Sequence, residues 1–159
     1  MPLSVIPVLA LDRPPTEGEV RDLIARFSRT MRTWFARRGV QHELRWALER
    51  SIRQGIHFHG MMGCPWRMRT ETRQHARTLL FRLLGVKVEK GVDLPPRVAR
   101  AVRLHGRQGG VGATKAKGWL AYTAATFDPA TSFTEKAQAA LPVSGRRFGQ
   151  PQRRGGAHG

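Results

Sequence analysis

Acidic residues are scarce in this chain. Asp and Glu number 11 against 28 Lys and Arg, giving a formal net charge of +17 over 159 residues. A field of that sign and size repels other polycations and concentrates polyanions, so nucleic acid is the expected partner. Cysteine is nearly absent: Cys64 stands alone. An internal disulfide is therefore excluded, which suits a reducing cytoplasm. No apolar run approaches the length needed to cross a bilayer, and no helix reads as lipid-facing, so a membrane is not an expected partner. Tyrosine also occurs once, at Tyr122. What remains is ordinary for a globular protein, with 40% hydrophobic and 25% charged residues in a length that fits one domain.

The N-terminal stretch "MPLSVIPVLALDRPP" has no basic leader and no small-residue cleavage site, so it reads as a first strand over 3–10. Pro7 argues for an edge position or a bulge there. Thr16 and Glu19 have capping-box spacing. Val20, Leu23, Ile24, Phe27, Met31, Trp34 and Phe35 then keep the period of an amphipathic helix that ends at Gly39. Arg21, Arg26, Arg29, Arg32 and Arg37 form its other, solvated face. A second helix is expected over 70–84, with Ala76, Leu79, Leu80, Leu83 and Leu84 inward and Gly85 as its stop. Residues 86–89 suggest a short strand, and 97–104 fit either a strand or a helix. The glycines of "HGRQGGVGATKAKG" miss the phosphate-loop spacing, so this segment reads as a basic loop. A third helix comes next and carries Tyr122. From Val143 onward the tail reads as loose and basic, leaving one domain over 1–142.

The segment "GIHFHGMMG" raises the sharpest chemical question. Residues 44–52 and 56–62 read as two strands of a hairpin, with Gly55 at the left-handed position of its loop. A three-residue loop "RQG" pairs Ile52 with Ile56, Ser51 with His57 and Glu49 with His59. Strand alternation then gathers Glu49, His57 and His59 on one face and turns Trp46, Leu48, Phe58 and Met62 to the other. Two imidazoles and a carboxylate are a three-ligand set for a catalytic divalent metal, leaving positions open for phosphate oxygens and water. A zinc site completed by Cys64 or His75 matches no common zinc module. The plain alternative for Glu49 is a surface carboxylate paired with Arg45 or Arg50. His42, His75 and His105 read as structural. Tyr122 taken alone reads as a core aromatic; beside a metal site in a polycationic chain it becomes a candidate nucleophile. Trp66 and Trp119 are minor candidates for stacking on unpaired bases.

"IHFHGMM" resembles the His-hydrophobic-His motif of the HUH single-strand endonucleases, and it comes after a glutamate-bearing strand in "WALERSIRQG". "GWLAYTAATF" is similar to the tyrosine helix of their rolling-circle replication initiators, and "GRRFG" at 145–149 to a basic-aromatic tail segment of phage and plasmid members. The resemblance covers roughly residues 3–149. It implies an α+β fold, a ferredoxin-like palm with a central antiparallel sheet and helices on one face. It further implies Mg2+ or Mn2+ on His57, His59 and Glu49, and attack by Tyr122 on single-stranded DNA. Arg107, Lys115 and Lys117 of the basic loop, with Arg50 and Arg53 of the hairpin, are the nucleic-acid-binding candidates. The partners implied are single-stranded or hairpin DNA at a replication origin and, from the bacterial host, a polymerase and a helicase. Two departures stand out. Ala125 occupies the position of a frequent family lysine, and Thr126 that of a second tyrosine, so a two-tyrosine mechanism is excluded. A transposase or relaxase of the same class shares these residues. A non-catalytic nucleic-acid-binding protein, either a degenerate initiator or an RNA-binding module, is the alternative from a different class.

Overall fold

The computed structural model describes residues 1–89, 91–104 and 148–149. Over these residues the chain runs β1 (Pro2–Val5), α1 (Glu17–Ala36), β2 (Leu44–Ser51), β3 (Gly55–Met62), α2 (Arg69–Leu83), α3 (Pro96–Ala99), β4 (Val102–Leu104) and β5 (Phe148–Gly149). The strands form one sheet in the order β4-β1-β3-β2-β5, and every neighbouring pair is antiparallel. This is the α+β class with a central antiparallel sheet. Without the single turn of α3 and the two-residue β5, the order is strand, helix, two strands, helix, strand, the split βαβ pattern.

Local signals start α1 and stop both long helices. The Thr16 side chain accepts from the Glu19 amide, and the Glu19 carboxylate accepts in turn from the Thr16 amide at 2.7 Å. That closes the expected capping box at the start of α1, a feature typically worth about 1 kcal/mol. Gly39 and Gly85 take positive φ just beyond α1 and α2. One face of α1 buries Val20, Leu23, Ile24, Phe27, Met31 and Phe35; α2 buries Ala76, Leu79, Leu80 and Phe81. These side chains share a single core with Leu3 and Val5 of β1, Leu44 and Leu48 of β2, Phe58 and Met62 of β3, and Val102 and Leu104 of β4. The helices thus cover one face of the sheet. Gly60 lies on that covered face, where a Cβ would sit 3.1 Å from Leu3 Cγ and 3.3 Å from Leu44 Cδ1. Its bareness lets side chains from both neighbouring strands close over β3.

Several expectations are corrected. β1 ends at Val5, and Pro7 begins a 3-10 turn over Pro7–Leu9 in place of continuing the strand. Proline suits that first helical position because its φ is preset and its missing amide is not needed there. Nor is β1 an edge, since β3 and β4 flank it. Residues 86–89 form no strand. The ambiguous 97–104 stretch divides into the helical turn α3 and the strand β4. Phe148 and Gly149, within the stretch expected to be a loose tail, pair with Ala47 and Trp46 of β2.

Candidate metal centre

β2 and β3 are joined by a tight hairpin whose register differs from the expected one. Ser51 pairs with Gly55, so the loop is Ile52, Arg53 and Gln54, and Glu49 faces His57 while Ala47 faces His59. Gly55 has φ +60 and is the first residue of β3. The Ser51 hydroxyl accepts from the Gln54 amide at 3.1 Å, which ties the loop one step earlier than "RQG". The pairing moves by two residues, and a shift of two preserves faces. Glu49, His57 and His59 therefore still share the sheet face opposite the helices, as the sequence predicts.

The three side chains converge. Glu49 Oε2 lies 3.5 Å from His57 Nε2 and 3.8 Å from His59 Nε2. One ligand atom from each residue can be chosen so that all lie within 4.8 Å of one another. The imidazole rings stand nearly perpendicular, with centroids 5.2 Å apart. Glu49 is 5% exposed and His57 3%, while His59 is half-buried and reachable from solvent. Burial at this level rules out the surface-carboxylate alternative for Glu49. Arg45 binds Glu43 at 2.9 Å, and Arg50 reaches toward Glu17 at 3.7 Å.

The donor set fits a divalent cation. His57 Nδ1 lies 3.0 Å from the carbonyl oxygen of Gly55. A carbonyl can only accept, so Nδ1 carries a proton in this contact, and Nε2 is the nitrogen turned toward Glu49. Backbone orientation of a ligating imidazole through its second nitrogen is a common feature of metal sites. Ligand atoms held about 2.1 Å from one ion lie roughly 3 to 4 Å apart, which matches the separations around Glu49 Oε2. Among the described residues no other group of three His, Cys, Asp or Glu gathers in this way. Cys64 takes no part, its thiol lying 3.2 Å from the Thr72 hydroxyl.

The remaining expected residues fall in different places. Arg53 is exposed in the hairpin loop. Arg50 alternates with Glu49 and so lies on the helix side of the sheet, beside Glu17. Arg107, Lys115, Lys117, Tyr122 and Ala125 lie outside the described residues. Two residues not expected from the sequence share the metal face. Ser4 of β1 pairs with His59 on one side and Arg103 of β4 on the other, and Arg103 is exposed. Arg103 thus brings a positive charge to the row that contains His59. Only the β1–β4 register reveals this, since a three-residue strand has too little periodicity to read.

The other described histidines are packing residues, as expected. His42 stacks on Phe35 at 5.1 Å and His75 on Trp34 at 4.8 Å. Burial, then the nearby Arg32, pushes His42 down to about 4, against a small opposing pull from Glu43. Burial and the charges of Arg38 and Arg82 also lower His75. For His42 the folded value lies below the unfolded value of about 6.5, so the unfolded chain takes up the proton first as pH falls. Its contribution to stability is complete above about pH 6.5 and is lost toward pH 4. With allowance for solvent screening, the loss is about 1–2 kcal/mol. Urea midpoints measured from pH 7 to pH 4 should fall more steeply for wild type than for His42→Gln; parallel curves would contradict this assignment.

No protein-family model matches the chain, and comparisons with curated proteins and with solved structures find no match. Among the described residues no helix is long and apolar enough to cross a membrane.

Proposed function

We propose that this chain is a metal-dependent enzyme that nicks and rejoins single-stranded DNA through a tyrosine, in the manner of the HUH replication initiators it resembles. The observation that carries the reading is the convergence of Glu49, His57 and His59 on the open face of the sheet. The net charge of +17 supports a polyanionic substrate. Glu49, His57 and His59 would hold Mg2+ or Mn2+, and the ion would polarise a phosphate oxygen as a Lewis acid. His57, fixed by its bond to Gly55, presents Nε2 without a competing tautomer. Arg103, on the same face, would attract the DNA backbone toward the centre.

Tyr122 would supply the nucleophile. Its phenolic oxygen attacks phosphorus, the bond from phosphorus to the 3′-oxygen breaks, and the proton passes to that leaving oxygen. The products are a 5′-phosphotyrosine and a free 3′-hydroxyl that a polymerase can extend. Attack by a 3′-hydroxyl on the phosphotyrosine reverses the step and rejoins the strand. An initiator of this kind would work in the cytoplasm of a bacterial host, at single-stranded or hairpin origin DNA, with host polymerase and helicase.

Circular single-stranded DNA provides the test, because a random circle needs no knowledge of the origin. In Mn2+ the wild type is expected to linearise it, and EDTA to stop the reaction. Linearisation that continues unchanged in EDTA would overturn the metal-dependent reading.

A further inference from the structure

β3 leaves the sheet at Met62 and runs through Gly63, Cys64 and Pro65 into a single 3-10 turn, Trp66–Met68, that leads directly into α2. Trp66 opens this turn and is 70% exposed. Trp34 and Trp46, by contrast, are packed against the core. An indole left in water at this level contributes little to folding and leaves ring surface open to a partner. Its neighbours are cationic. The Arg69 guanidinium lies 5.0 Å from the Trp66 ring centroid, Arg67 is exposed beside it, and Arg73 is exposed one turn further along α2. Among the described residues none of these three arginines forms an ion pair, whereas Arg13, Arg21, Arg26, Arg38 and Arg45 each hold an acidic side chain.

We infer that Trp66 is a stacking platform for an unpaired base of single-stranded DNA, with Arg67 and Arg69 binding the flanking phosphates. An exposed aromatic face beside unpaired guanidinium groups matches the two chemistries a single strand offers, a bare base face and a regular row of negative charges. A duplex offers only the charges, because its base faces are stacked inside. The platform follows closely in sequence on the strand that carries His57 and His59, with three residues between Met62 and Trp66. This inference rests on the single-strand reading above and adds the residues that would hold the strand away from the metal centre.

Binding of a fluorescein-labelled oligo-dT and of a blunt duplex, measured by anisotropy in EDTA, separates this inference from the chemistry. Trp66→Ala should weaken single-strand binding about 5- to 150-fold, while Trp66→Phe stays close to wild type and duplex binding is unchanged. The inference is overturned if Trp66→Ala binds oligo-dT like wild type, or if it loses oligo-dT and duplex affinity equally, the signature of a general charge patch. Cleavage that fails while the Trp66 dependence holds would remove the enzymatic reading and leave the platform standing.

Discussion

Tyr122→Phe is expected to abolish covalent attachment of DNA to the protein. The wild type, mixed with a randomised single-stranded pool and Mn2+ and then denatured, should give a protein band shifted by bound DNA. The variant should give none. Because Tyr122 is the only tyrosine in the chain, the substitution removes every phenol and leaves no substitute of the same chemistry. The expected loss is complete because the step requires a bond from phosphorus to the phenolic oxygen, which phenylalanine lacks. A free phenol has a pKa of about 10 and is a poor nucleophile near neutrality, so a nearby cation is needed to stabilise the phenolate. Lys115 and Lys117, which precede the tyrosine, are the sequence's candidates for that charge in place of the residue at Ala125. A shifted band that persists in Tyr122→Phe would assign the nucleophile elsewhere. No band in the wild type, together with salt-sensitive DNA binding, would favour a non-catalytic binding protein.

The second large effect is on folding. Phe58→Ala should destabilise the protein by about 3–5 kcal/mol, read from urea midpoints. Phe58 lies on β3, between β1 and β2, and is 0% exposed. Val5 and Leu48 stand opposite it on the neighbouring strands, Val102 continues the row on β4, and all four belong to the core beneath α1 and α2. Truncation removes the ring's transfer energy and leaves a cavity that close-packed neighbours fill only in part. Against a total stability of about 5–15 kcal/mol this is a large fraction. Phe58 also separates His57 from His59 in sequence, so loosening its packing disturbs the backbone that positions both histidines. Ile52→Ala at the 91% exposed hairpin loop is the natural control and should change stability by less than about 0.5 kcal/mol. A loss below about 1 kcal/mol for Phe58→Ala would contradict the sheet register.

Residue types and spacing make much of this arrangement legible. The Thr16–Glu19 pair marks the start of α1, and its apolar period marks the buried face, because both signals are local. Alternation in "IHFH" separates the metal face from the core face for the same reason. Hairpin register is harder. Gly55 can end the loop or begin the strand, and the hydroxyl of Ser51 decides between them. Glu49 stays on the expected face only because the two registers differ by an even number of residues. Pro7 reads in sequence as a strand irregularity, because the choice between a bulge and a 3-10 turn depends on where the chain goes in space. The stretch 97–104 is ambiguous because it holds a helical turn and a strand in eight residues. Arg103 on the metal face and the pairing of Phe148–Gly149 with β2 depend on long-range contacts, which short segments do not encode in their own periodicity.

Binding of a divalent metal by Glu49, His57 and His59 together is tested most directly by the thermal midpoint with and without Mn2+. At a Mn2+ concentration about 100 times its dissociation constant, one site should add about 2.7 kcal/mol, or roughly 5–10 °C for a chain of this size. That rise is expected in wild type and is expected to be absent in His57→Ala. Equal shifts in both proteins, or no shift in either, would contradict it.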